Sequence, residues 1–208
     1  MQPSLKYEHQ AGFPKLVVAG ADEVGRGCLA GPVVAAALAL PALICFEKNP
    51  WLAEVQDSKL MTPEARERLV PLIQNWALSF SLGFASVEEI DHINIFHASH
   101  LAIVRAVEGL SVQPHHILID GKFLPRQKLP APATAVIKGD QQCLSIAAAS
   151  IIAKVWRDQH MVELDGKFPG YGFAQHKGYP TPQHKSALKK QGVTGIHRRS
   201  FKTVSMLL

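Results

Sequence analysis

The 208-residue sequence has no apolar run approaching the roughly 18 to 20 residues of a transmembrane helix, and its alanine-rich stretch from Gly31 to Leu40 is too short to span a bilayer. The opening, MQPSLKYEHQAGFPK, lacks the apolar core of a signal peptide. Cysteine is scarce. Cys28, Cys45 and Cys143 are odd in number, widely spaced and without a CxxC pair, so they read as reduced thiols rather than a disulfide framework or a zinc cage. No internal repeat or low-complexity tract stands out, and Gly and Pro scatter as punctuation, which speaks against a repeat array or modules on a linker. GADEVGRG lacks the Lys-Ser/Thr of a P-loop and the spacing of a dinucleotide fingerprint. The chain is expected to be cytoplasmic and monomeric, without membrane attachment, and folded as one domain over residues 1–208.

Hydrophobic residues make up 47% of the chain, enough for a sizeable core, and the net charge of +5 is compatible with a polyanionic partner. Leu16 to Ala21 and Pro32 to Leu40 are apolar runs across a Gly-rich turn, expected as a hairpin of buried strands. Thr62 and Pro63 are placed to start a helix as N-cap and N1, and Trp76 to Ala85 alternates like a third strand. Ala98 to Leu110 has helical spacing, His116 to Ile119 and Ala133 to Ile137 are short strands, and Leu144 to Asp165 is a long helix apolar nearly all round in its first half. Three strands, then alternating helix and strand, then helices suit an α/β sheet with an antiparallel portion and a parallel portion.

Three of these strand-like runs end in acid: Asp22 and Glu23 on the first, Asp120 on the fourth and Asp140 just beyond the fifth. Any one of them alone is an ordinary cap or turn residue. As a set they point elsewhere, because the carboxyl ends of neighbouring parallel strands face one crevice. Ionised carboxylates held close together repel unless cations bind them, and all-oxygen ligands favour hard ions such as Mg²⁺ or Mn²⁺. Two-metal phosphodiester hydrolysis is the natural chemistry of such a cluster.

Seven blocks in order, GADEVGRGCLAGPVV, DSKLM, EIDHINIFHAS, ILIDGK, VIKGDQQCLSIAAASIIAKVWRD, QHKGYPT and HRRSF, resemble the bacterial ribonuclease HII (type 2 ribonuclease H) pattern over most of the chain. The resemblance implies the ribonuclease H-like fold, an α/β architecture with a five-stranded mixed sheet flanked by helices, the first three strands antiparallel. Residues from about 180 to 208 would form a short C-terminal helical appendage. It further implies endonucleolytic cleavage 5′ to a ribonucleotide, in RNA/DNA hybrids and in duplex DNA carrying ribonucleotides, leaving 3′-hydroxyl and 5′-phosphate ends. By the same resemblance, Asp22, Glu23, Asp120 and Asp140 bind Mg²⁺ or Mn²⁺, while Gly25, Arg26, Gly27 and Tyr179 read the ribonucleotide and the sugar that follows it. Ser58 and Lys59 are substrate-binding candidates, Lys59 reaching a phosphate, with Asp57 as a turn residue or their orienter.

Several alternatives stand beside these readings. Adjacent strand residues point to opposite faces, so Asp22 and Glu23 share a site only if the strand ends or twists there, a break for which Gly25-Arg26-Gly27 is suited. Asp158 rivals Asp140 as fourth acid but reads as a helix-surface or supporting residue, and Tyr179 is otherwise a half-buried packing aromatic. Lys185, Lys189, Lys190, His197, Arg198 and Arg199 are either a solvated charged face or phosphate contacts. A metal-free ribonuclease using two of the ten histidines is a competing class, although His92, His97, His100, His115, His116, His176 and His184 show no pair set apart by spacing. A hybrid-binding module without catalysis is another, and the retained acids argue against it.

Overall fold

A computed structural model describes residues 2–208. A short helix α1 (Lys6–Gln10) precedes the first strand, β1 (Val18–Val24), which runs three residues past the expected end at Ala21. Strand β2 (Val33–Ala39) returns antiparallel beside it, pairing Ala19 with Ala39 through Val24 with Val34. Every residue of β2 is buried, the signature of a strand covered on both faces. Its four alanines leave little side chain on either side, so helices lie close to the sheet.

Thr62 caps α2 (Pro63–Trp76) by accepting from the Ala65 amide, with Pro63 at the first turn, as expected. The helix continues to Trp76, so β3 (Ser79–Ala85) starts later than the expected Trp76. Leu69 and Ile73 at helical spacing are fully buried, and Trp76 packs edge-on against Trp51, so the last turn contributes to the core as helix. Helix α3 (Val87–Glu108) begins at Val87 rather than Ala98. Its start carries a capping box, Ser86 accepting from the Glu89 amide and Glu89 from the Ser86 amide, and it is interrupted at Asn94 in left-handed conformation. Asn94 Oδ1 then accepts from the Phe96 and His97 amides and restarts the helix.

Strands β4 (His116–Asp120) and β5 (Ala133–Val136) complete one sheet in the order β3-β2-β1-β4-β5, with β4 parallel to both β1 and β5. Helix α3 covers one face through Ala98, Ala102, Ile103 and Ala106. Helix α4 (Leu144–Lys167) covers the other, joined by α2. At Gly20 an added Cβ would stand 2.4 Å from the backbone nitrogen of Ile146, so only glycine lets the start of α4 lie on the centre of β1. Residue Cys143 supplies no side-chain cap to α4. Glu8 supplies one from α1 instead, its Oε1 accepting from the Ser145 amide at 2.9 Å and the Ser145 hydroxyl at 2.8 Å.

The C-terminal elements α5 (Phe173–His176), α6 (Pro182–Gln191) and α7 (Lys202–Ser205) form a separate apolar cluster with the far end of α4 and the loop after β1. Leu29 and Ala30 of that loop pack there with Met161, Phe173, Leu188 and Val204. None of the described helices is long and apolar enough to cross a membrane.

Candidate active site

Parallel pairing of β1 with β4 runs Ala21 opposite Ile119, so the next residues along, Asp22 and Asp120, stand at the carboxyl ends of neighbouring strands. Asp120 pairs with Val136 of β5, and four residues beyond Val136, in the tight turn Gly139–Gln141, lies Asp140. The chain leaves β1 for β2 on one side and β4 for β5 on the other, so the acids sit where a parallel sheet opens a crevice. Alternation puts Asp22 and Asp120 on the α4 face, with Val18 and Leu118, and Glu23 on the α3 face, with Ala21 and Ile119. The strand neither ends nor breaks at Glu23, since pairing with β2 continues to Val24. Glu23 instead lines a cleft of about 310 Å³ with Asp120, Arg26, Phe96, His100 and Phe123.

The electrostatics tie the acids into one group. Asp22 is 5% exposed; burial, then the charges of Glu23, Asp120 and Asp140, push its carboxyl well above the usual range, against the pull of Lys59. Burial raises Glu23 as well, offset by Arg26 and reinforced by Asp120. Asp120 is raised by burial despite the Gly139 amide donating to its Oδ1 at 2.6 Å, with Asp140 adding to the rise. Each acid is held locally: Asp22 Oδ1 accepts from the Glu23 amide at 2.7 Å, Glu23 Oε1 pairs with Arg26 at 3.1 Å, and Asp140 Oδ2 pairs with Lys59 Nζ at 3.2 Å. As oriented, no three Asp, Glu, His or Cys side chains among the described residues close on a single point as a finished ligand set. The donor chemistry nevertheless fits hard divalent ions, since the cluster is all carboxylate and its uncompensated charge is partly balanced by the two side-chain cations, Lys59 and Arg26.

Around this group the sequence-selected residues separate. Asp57 orients the DSK turn, accepting from the Lys59 amide at 2.9 Å and from Gln141 Nε2 at 3.2 Å, which ties the turn to the segment carrying Asp140. Ser58 is buried and its carbonyl is held by Arg66, so of the pair only Lys59 reaches the acids. Asp158 pairs with Lys154 at 2.8 Å and with Arg66 of α2 at 3.6 Å, a supporting ion cluster between α4 and α2 that is not among the charges acting on Asp22 or Asp120.

The loop 25–32 is held from beneath by two arginines, Arg157 and Arg198, whose burial the linear pattern does not by itself show. Arg157 of α4 is fully buried and donates to the carbonyls of Pro32, Ala30 and Lys177 at 2.9–3.1 Å. Gly25, at φ +93°, lies directly over it: an added Cβ would fall 2.2 Å from Arg157 Nε. Arg198, read from the sequence as either part of a solvated face or a phosphate contact, is instead fully buried and donates to the Gly31 and Arg26 carbonyls. His197 is buried beside it, which likewise removes it from the surface, whereas Arg199, Lys185, Lys189 and Lys190 are exposed. The one sequence signal for Arg157 was its place four residues from Ala153 and from Met161, on the buried stripe of α4. Gly27 has open space where a side chain would stand. Leu29 donates to the Gly178 carbonyl at 2.8 Å, bringing the KGY segment against the loop, and Tyr179 lies beside Cys28 with 36% of its surface exposed and Lys154 Nζ 5.6 Å from its ring centre.

With acids from two parallel strand ends, a backbone loop clamped beside them and an exposed tyrosine against that loop in place, comparison with known proteins is decisive. The family model described as ribonuclease HII matches residues 19–204. The chain belongs to the ribonuclease HII family. Members of this family are metal-dependent endonucleases of the hydrolase class. The chain is 52% identical over 209 residues to ribonuclease HII of Ruegeria sp. (strain TM1040), covering 99% of this chain and 87% of that protein. It is 52% identical over 188 residues to ribonuclease HII of Myxococcus xanthus (strain DK1622), covering 90% of this chain and 61% of the longer relative, so it spans less than two thirds of that protein. The crystal structure of ribonuclease H2 from Pyrococcus horikoshii OT3 superposes with a TM-score of 0.75 at 28% identity, over 92% of this chain and 97% of that one. The expected α/β, ribonuclease H-like fold is therefore the observed one.

Proposed function

We propose that this ribonuclease HII-family chain hydrolyses the phosphodiester 5′ to a ribonucleotide, in RNA/DNA hybrids and at ribonucleotides embedded in duplex DNA, leaving 3′-hydroxyl and 5′-phosphate ends. The observation that carries the reading is the grouping of Asp22 and Glu23 of β1, Asp120 at the end of β4 and Asp140 in the turn after β5, carboxylates whose charges act on one another. These four carboxylates would hold two Mg²⁺ or Mn²⁺ ions. When bound, such ions supply activation of the attacking water and stabilisation of the leaving oxygen. The protein's own part is positional: the turn Gly139–Gln141 and the Asp57–Gln141 link present Asp140, and Lys59, paired with Asp140 and otherwise exposed, would meet a substrate phosphate. Ser58, buried, would contribute through the backbone of its turn.

Selectivity for RNA would come from the loop. Arg26 and Gly27 are exposed while Gly25 is buried, the Arg26 carbonyl is taken by Arg198, and the amides of this segment would hydrogen-bond a ribose 2′-hydroxyl, which DNA lacks, the open space at Gly27 allowing close approach. Tyr179, half-exposed against the same loop, would lay its ring on the sugar that follows, favouring an RNA–DNA junction. Arg199, Lys185, Lys189 and Lys190 supply exposed positive charge for the backbone of the duplex. Of the histidines, His184 and His197 are buried and pushed down to about 4 by burial, which makes these two unsuited to exchange protons with a substrate at neutral pH.

The test is cleavage of a duplex carrying one ribonucleotide, with mapped ends, with Mg²⁺ or Mn²⁺ and with EDTA. Cleavage on the 5′ side of the ribonucleotide, dependent on the ion, is expected. Activity persisting in EDTA with a 2′,3′-cyclic phosphate product would overturn the proposal.

A further inference from the structure

Behind Tyr179 lie three histidines that the proposed reaction does not touch. His176, His184 and His197 are 8%, 0% and 1% exposed, packed around Phe173, with the His176 and His184 rings stacked 4.4 Å apart. Their hydrogen bonds leave one consistent arrangement of protons. The Thr194 amide donates to His197 Nδ1 at 3.1 Å, so that nitrogen accepts and the ring proton sits on Nε2. From there it faces His184 Nε2 at 3.2 Å, which must then accept, placing the His184 proton on Nδ1. That proton is directed at the Tyr179 carbonyl 3.0 Å away. Independently, the Gly178 amide donates to His176 Nδ1 at 3.2 Å, so His176 Nε2 donates to the Tyr171 carbonyl at 2.8 Å.

We propose that these histidines are positioning residues: a neutral hydrogen-bonded chain from Thr194 through His197 and His184, with His176 beside it, sets the backbone of Tyr179 and through it the preference for an RNA–DNA junction. The inference rests on the reading of Tyr179 given above. Lys177 and Gly178, just before Tyr179, are both left-handed, at φ +51° and +83°, a backbone that must be held by its surroundings. The hydrogen bonds do so at every peptide group: the Gly178 amide on His176, the Gly178 carbonyl on Leu29, the Tyr179 amide on the His176 carbonyl, and the Tyr179 carbonyl on both Thr181 and His184. Because burial holds His184 and His197 down to about 4, the chain stays neutral and intact at neutral pH.

Three measurements test this. First, long-range ¹H–¹⁵N correlation spectra of the wild-type protein should show His184 protonated on Nδ1 and His197 on Nε2; the opposite tautomers would overturn the chain without any variant being made. Second, kcat/KM is measured on a duplex with one embedded ribonucleotide and on a continuous hybrid. His184→Leu, which removes the donor to Tyr179, should lose about tenfold more on the single ribonucleotide than on the hybrid, the scale of one buried hydrogen bond. His184→Asn, whose amide nitrogen stands near the position of Nδ1, should recover most of that preference. Third, in a Tyr179→Ala background His184→Leu should change the substrate ratio no further. Equal loss on both substrates by His184→Leu, while Tyr179→Ala still shifts the ratio, would overturn the histidine inference alone. A Tyr179→Ala variant with an unchanged ratio would overturn the reading of Tyr179, and the selectivity role of the histidines with it.

Discussion

Replacing Asp22 by asparagine removes one charge from an acid that, like Asp140, is buried, and leaves its shape intact. The retained Oδ1 still accepts the Glu23 amide that Asp22 binds at 2.7 Å, and the new amide nitrogen becomes a donor among carboxylates. Burial and the charges of Glu23, Asp120 and Asp140 raise the Asp22 carboxyl, so the ionised cluster opposes folding when no cation is present. Relief of such active-site repulsion stabilises by about 0.5–2 kcal/mol, and for a chain of this size each kcal/mol moves Tm by roughly 2–4 °C. In EDTA at pH 8, Asp22→Asn should therefore melt about 1–8 °C above wild type while losing metal-supported cleavage. The sign with pH follows from the raised folded-state value. The destabilising contribution is absent below the unfolded carboxylate range and grows as pH rises through the folded value, so the advantage of the variant should shrink between pH 8 and pH 5. Saturating Mg²⁺ should reverse the order, since an ion at 100 times its dissociation constant adds about 2.7 kcal/mol to the form that binds it. Differential scanning calorimetry in both buffers reads all of this. A variant that melts below wild type in EDTA at pH 8, by the same amount at pH 5, would refute the picture of a repelling, cation-seeking cluster.

Other outcomes are expected on the same grounds. Asp140→Asn should lower kcat by orders of magnitude, and Asp158→Asn should act mainly on Tm, because Asp158 serves Lys154 and Arg66 rather than the acid group; a larger kcat loss in Asp158→Asn at equal stability would reverse the assignment. Lys59→Met should raise KM and flatten its dependence on salt with less change in kcat, as loss of one phosphate contact requires; an unchanged salt slope would show that Lys59 only neutralises Asp140. Glu8→Ala should destabilise by about 1–3 kcal/mol, having left the buried Ser145 amide and hydroxyl at the start of α4 without their acceptor, and a Tm within error of wild type would refute that role.

Apolar patterning placed the five strands, the later part of α3 and α4, because burial on one or both faces writes its period into the sequence, while α2 was marked by its Thr62-Pro63 start. It lost boundaries where packing overrode alternation, as when Trp76 joined α2 against Trp51 and when Ser86 and Glu89 started α3 well before its apolar stripe. The seven ordered blocks carried the family, and acids at strand ends pointed to a shared crevice. What they could not carry was direction in space. Asp22 and Glu23 face opposite sides of an unbroken strand, yet the charge of Glu23 still raises the Asp22 carboxyl. Arginine in HRRSF looks solvent-exposed in any linear reading, and only the tertiary structure turns Arg198 inward onto the Gly31 and Arg26 carbonyls while leaving Arg199 outside. The same holds for His184 and His197, whose proton positions follow from partners 5 and 3 residues away and from each other across 13. Local spacing determines which residues can be buried together; whether a charged or polar group is buried, and what satisfies it there, is decided by segments distant in the chain that meet only when the fold closes.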